Sequence, residues 1–153
     1  MRLSLWGAND DLPDRRDSRQ PHHLRDQSDE GYAQHAYVCP AGATSVGYGR
    51  NLDQKHGGLG ISEEEAEYLL ANDIKRSIEE CESFGWWADC PMDKRQVIIE
   101  LAFQLGWPAL TGFNLMLTHM ASGSYDQAAA ELLDSRFARQ VPHRANELAE
   151  RLR

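Results

Sequence analysis

The chain has 153 residues, with 24 Asp or Glu against 16 Lys or Arg and a formal net charge of −8. That length suits one domain with a real core, and 41% hydrophobic with 26% charged residues is the balance of a soluble globular chain. The acidic balance argues against a basic stripe for nucleic acid, and no apolar run approaches a membrane span.

Residues 1–23 mix Arg2, Arg15, Arg16 and Arg19 with Asp10, Asp11, Asp14 and Asp17, interrupted by Pro13 and Pro21. Their apolar periodicity is poor, which predicts an irregular extension ahead of a domain over 24–153. The start, MRLSLWGANDDLP, lacks the apolar stretch of a signal peptide, so synthesis in the cytoplasm is expected. A short helix is expected around Pro21 to Gly31, with Pro at its first position and Gly past its end.

The period then changes. Tyr37 and Val38, a tight turn at Pro40 to Gly42, and the run Ser45 to Gly49 predict a small antiparallel sheet. Residues 51–60, NLDQKHGGLG, read as a Gly-rich loop.

From there the pattern is helical. Ser62 and Glu65 form a capping box, with Ile61 placed to staple onto Ala66. Ala66, Leu69, Leu70, Ile74, Ile78 and Cys81 keep a 3.6-residue period and predict one long helix. FGWWADCP breaks it, and its pair Trp86–Trp87 reads as packing. Asp93 is expected to cap a second helix, with Gln96 at the box position. Val97, Ile98, Leu101, Ala102 and Leu105 make that helix central and buried. Gly106-Trp107-Pro108 ends it. A segment from Asn114 to Met120 follows, then a helix opened by Ser124 and Gln127, and a last one opened by Pro142. The fold class is α+β: a small sheet lobe joined by a long helix to a helical lobe. A ligand cleft is expected between the lobes.

Cys39, Cys81 and Cys90 are too few for a disulfide framework, though Cys81 and Cys90 could pair in an oxidising compartment. CxxC and HxxxH spacings are absent, so neither a metal nor a cofactor is expected.

Ordered along the chain are Glu30-Gly31, AYVCPAG over 36–42, SVGYG over 45–49, ISEEEAEYLLANDI, AFQLG over 102–106, Gly112-Phe113, and SRFARQVPHRA over 135–145. Together and at this spacing they resemble the phage-type lysozymes, the muramidase endolysins of T-even and lambdoid phages, over residues 24–153. The resemblance implies a two-lobed lysozyme fold. It also implies hydrolysis of the bond between N-acetylmuramic acid and N-acetylglucosamine in peptidoglycan. A monomer that meets the glycan strand of the cell wall after release is the expectation.

Glycoside hydrolysis needs an acid to protonate the leaving oxygen and a second group for the anomeric carbon. The resemblance makes Glu30 the general acid; from position alone it would read as a solvated helix-end carboxylate. The resemblance assigns the second role to Cys39 and Ser45, where many members carry Asp and Thr. An ordinary thiol, of pKa about 8.5, is mostly protonated at neutral pH. Two versions follow: Cys39 with Ser45 orients a water opposite Glu30, or, less favoured, Cys39 forms a covalent thioglycosyl intermediate. A plain core thiol and a plain strand serine are the alternatives from the residues alone. Arg50 stands where many relatives carry His; its side chain could meet Glu30 or Asp53, and His35 lies near Cys39 in sequence. By the same resemblance Phe103 covers a sugar face, Gln104 bonds an N-acetyl group and Arg144 lines the cleft; core packing and a solvated helix face are their alternatives. A second functional reading is a lysozyme-fold module that binds peptidoglycan or a partner without cleaving it.

Overall fold

The computed structural model describes residues 31–153. The extension over 1–23, the body of the short helix read after Pro21, and Glu30 lie outside the described residues. Two compact units divide the chain at Gly60 and Ile61.

The first unit is a three-stranded antiparallel sheet in the order β1-β2-β3, with β1 Ala33–Val38, β2 Thr44–Gly47 and β3 Arg50–Asn51. The β1–β2 turn lies where Pro40 and Gly42 predict it. The Gly42 amide donates to the Cys39 carbonyl at 2.8 Å, and the Cys39 amide to the Ala43 carbonyl at 2.9 Å. Pro supplies the fixed φ that a turn's second residue needs, and Gly42 takes φ 83°, a value other side chains resist. Register then follows: Val38 opposes Thr44 and Tyr37 opposes Ser45, with a bulge before Ala33 meets Gly47. Gly47 and Gly49, at φ 65° and 81°, make the second reversal, which sets Val46 opposite Arg50 and Ser45 opposite Asn51.

Residues 51–60 are more ordered than a Gly-rich loop. Asn51 opens them as part of β3, and Gln54–His56 form one turn of 3-10 helix. Asn51 Oδ1 accepts from the Asp53 amide at 2.8 Å, and its Nδ2 donates to the His56 carbonyl at 3.0 Å. Asp53 caps the turn by accepting from the Lys55 amide at 2.9 Å, and Gly57 closes it at φ 75°. A methyl group on Gly58 would stand 2.6 Å from Asn51 Oδ1, so Gly is required for that approach. Arg50 Nε donates to the Gly60 carbonyl at 2.8 Å. Of this unit's described residues only Ala43 and Ser45 are buried, so hydrogen bonds rather than a core define its shape.

The second unit, Ile61–Arg153, holds seven helices among the described residues: α1 Glu63–Glu82, α2 Met92–Leu105, α3 Trp107–Thr111, α4 Asn114–Ala121, α5 Tyr125–Leu133, α6 Arg136–Gln140 and α7 Pro142–Leu152. Ser62 and Glu65 form the expected reciprocal box, at 3.2 and 2.7 Å, worth about 1 kcal/mol. The staple does not form as expected: Ile61 is 49% exposed and Ala66 is exposed. Asp93 does not cap α2. The helix begins two residues earlier than that cap implies, at Met92, behind Pro91, which offers no side-chain acceptor. Asp93 lies in the first turn beside Lys94 at 3.1 Å, where its charge still favours the helix start. Ser124 precedes α5 but makes no cap hydrogen bond; its hydroxyl is taken by Ser122 at 3.0 Å. The short helix α6 was not predicted; Ser135 caps it, accepting from the Ala138 amide at 3.1 Å.

The core of this unit is α2, α5 and α7 with their neighbours. Val97, Ile98 and Leu101 of α2, Leu132 of α5, and Leu148 and Leu152 of α7 are fully buried. Each such leucine stabilises the unit by roughly 2–5 kcal/mol against alanine. Trp87 joins the core, and Trp86 stacks on Phe84 at 4.9 Å, so the tryptophan pair packs as expected. Arg95 pins the connection by donating to the Cys90 and Ala88 carbonyls, each at 2.7 Å.

Glu100 of α2 fastens α7 at the edge of this core. Its carboxylate accepts from Arg151 at 2.7 and 2.9 Å and from Arg144 at 2.6 Å; Arg144 also meets Glu147 at 2.9 Å. The groups are about one-third exposed, so the network contributes on the order of 1 kcal/mol. Glu100→Gln should therefore lower the melting temperature by a few degrees at low ionic strength, because two arginines then face a neutral amide. The difference from wild type should shrink as salt is added in a calorimetric titration.

Candidate functional site

Cys39 ends β1, and the turn brings the chain back so that Ser45, on β2, lies beside it. The backbones of Ala43 and Ala41 and, less strongly, the Ser45 side chain favour the charged form of the Cys39 thiol. These interactions hold the thiol below its ordinary pKa, Ala43 most strongly, while partial desolvation works against them. The chief causes are backbone dipoles, with the Ser45 side chain a smaller one. Ser45 is only 3% exposed, and Cys39 is half-buried at the turn. The arrangement is a small polar notch with an acceptor sulfur and a serine oxygen, built on rigid turn geometry. Such a pair can hold a water by accepting one of its protons.

Sequence reasoning missed the clasp on the same unit. Asp53 Oδ2 meets His56 Nδ1 at 2.8 Å, and the His56 ring lies near Gly42, whose added methyl would stand 3.8 Å from Nε2. His56 and then the Lys55 amide hold Asp53 below the usual carboxylate range. The sign follows: this clasp stabilises the unit above the ordinary carboxylate pKa, and its contribution fades as pH falls through the acid range. Asp before a short turn closed by Gly is a readable cap signature; the approach of the His56 ring to Gly42 is tertiary and is not.

The remaining predicted residues lie on the helical unit. Phe103 and Gln104, near the end of α2, are both exposed, Phe103 by 46%, while neighbouring Leu101 and Ala102 are buried. Core packing is therefore not the role of Phe103. Arg144, on α7, has its guanidinium between Glu100 and Glu147 and holds Glu147 below its ordinary pKa. Its charge is committed to fastening α7, a role that the sequence did not suggest. Glu30 lies outside the described residues.

The three thiols differ in kind. All are free; Cys81 and Cys90 are buried. Burial pushes the Cys81 thiol up to about 12 and raises that of Cys90. Iodoacetamide labelling of the native protein should therefore stop at one equivalent, on Cys39, with two more after denaturation. The pH midpoint for Cys39 should fall below that of a free cysteine peptide, and Ser45→Ala should move it up. Mass spectrometry of the labelled peptides checks both.

Among the described residues no helix is long and apolar enough to cross a membrane. No curated protein matched the chain in a sequence search. The family described as Phage lysozyme matches residues 27–151, which takes in every predicted site residue. With it come a lysozyme-type function and peptidoglycan as the substrate. The α+β architecture agrees: the chain belongs to the phage lysozyme family.

Proposed function

We propose that this chain is an endolysin-type muramidase that hydrolyses the bond between N-acetylmuramic acid and N-acetylglucosamine, with Glu30 as general acid. The observation that supports it most is the notch at the β1–β2 turn, where Cys39 and Ser45 supply the second group that glycoside hydrolysis requires. Glu30, as a carboxylic acid, gives its proton to the leaving glycosidic oxygen. A water held by Cys39 and Ser45 attacks the anomeric carbon from the opposite face, and its proton passes to the Cys39 thiolate. Solvent then returns a proton to Glu30 and takes one from the thiol. The hydrogen bonds that lower the thiol's pKa raise the thiolate fraction at neutral pH, which the water-holding role needs. Phe103 and Gln104, exposed on α2, are assigned to sugar contact. Arg144 is assigned to the same contact through its place on α7 beside Glu100.

The test is clearing of permeabilised Gram-negative cells. Glu30→Gln should lose about 100-fold or more of the activity, as loss of a general acid does. Cys39→Ala should lose roughly tenfold or more, and Cys39→Asp should keep activity. Full activity in Cys39→Ala would remove the role given to the thiol. An inactive wild type that still sediments with cell walls would instead favour a binding module.

A further inference from the structure

Ser45 is buried in a unit that buries almost nothing else. It is 3% exposed, and of this unit's described residues only Ala43 is buried with it. A serine is too short to cover itself. On a sheet face, the larger side chains of the adjoining strands do so.

The register names those neighbours. Ser45 stands opposite Tyr37 on β1 and opposite Asn51 on β3. Residues directly opposite one another point to the same face, with Cβ atoms about 4.5–5.5 Å apart. The ladder runs on past the end of β1, where the Cys39 amide donates to the Ala43 carbonyl at 2.9 Å. Side chains alternate along each strand, so Tyr37 and Cys39 share a face with Ala43 and Ser45. Tyr37 is thus the direct neighbour of Ser45 and Cys39 its diagonal one. The effect of the Ser45 side chain on the Cys39 thiol agrees with that placement.

The two cross-strand neighbours differ in kind. The Asn51 carboxamide is engaged twice, by the Asp53 amide at 2.8 Å and the His56 carbonyl at 3.0 Å. Tyr37 brings a large ring that is 39% exposed, so most of its surface is covered while its rim reaches water. A ring so placed shields the small side chain opposite it. Shielding matters for a hydroxyl that must point one way. In water it exchanges partners with solvent; kept dry, it acts through a lower effective dielectric on the group it faces.

We propose that Tyr37 is a positioning residue of the notch: its ring, opposite Ser45 across the β1–β2 ladder, keeps bulk water from the Ser45 hydroxyl and so holds that hydroxyl toward the Cys39 thiol. Its part in hydrolysis rests on the reading of Cys39 and Ser45 as the water-holding pair. Tyr37 acts through Ser45 and takes no part in proton transfer.

The main readout is the pH midpoint of Cys39 alkylation, taken apart from the plateau rate. Tyr37→Ala should move the midpoint up, as Ser45→Ala does, and the double variant should move it no further than Ser45→Ala alone. Tyr37→Phe keeps the ring and should keep the midpoint. With soluble glycan strands, Tyr37→Ala should lower kcat about five- to tenfold and leave KM within about twofold. In the wild type, NMR should show a nuclear Overhauser contact between the Tyr37 ring and the Ser45 β-protons, a readout that needs no variant to fold. No such contact, an unmoved midpoint in Tyr37→Ala, or additive shifts in the double variant would overturn the role and leave the muramidase reading intact. A moved midpoint with no hydrolysis by wild type would keep the role and remove the muramidase reading.

Discussion

The sheet unit depends on one reversal of the chain, the closing of the β1–β2 turn by the Cys39 and Ala43 backbones. With so little buried area, a slip of one residue would turn every strand side chain to the other face. Pro40 and Gly42 prevent that slip by allowing few other conformations. The same turn brings the Ala41 and Ala43 backbones and the Ser45 side chain to bear on the Cys39 thiol. Register, thiol chemistry and the placing of Tyr37 opposite Ser45 are thus consequences of one local constraint.

The helical unit is stabilised differently. Its core is apolar, and its polar interactions sit at edges, where Glu100 joins α2 to α7 and Arg95 ties down the connection before α2. Loss of one edge contact costs little beside loss of a core leucine. The sheet unit has the opposite balance, few buried side chains and many specific hydrogen bonds. A reactive group placed there has its geometry set by backbone donors, which substitutions elsewhere change little.

Much of this was legible in the sequence, for reasons that are local. The Ser62–Glu65 box, the Pro142 start and the Pro40–Gly42 turn each state a backbone preference within a few residues. Misreadings came where several residues could do the same job. Asp93 looked like a cap, yet Pro91 already fixes the chain before α2, so the carboxylate stays in the first turn. The 51–60 segment looked like plain loop because its order comes from the Asn51 and Asp53 side chains bonding to nearby backbone. At the notch, the residue types were visible and their activation was not. The strongest influences that lower the thiol's pKa come from backbone groups, which every sequence contains and only a fold can aim. Arg144 reads as a substrate contact by resemblance, but its pairing with Glu100 spans 44 residues and no local pattern announces it.

Holding a water opposite an acid has one stereochemical consequence that covalent attack by the thiol does not share. Direct displacement by water inverts the anomeric carbon, whereas a thioglycosyl intermediate inverts it twice. Proton NMR of freshly cleaved glycan strands, recorded before mutarotation, reads the first-formed anomer. The account predicts the α anomer; a first product of β configuration would contradict it.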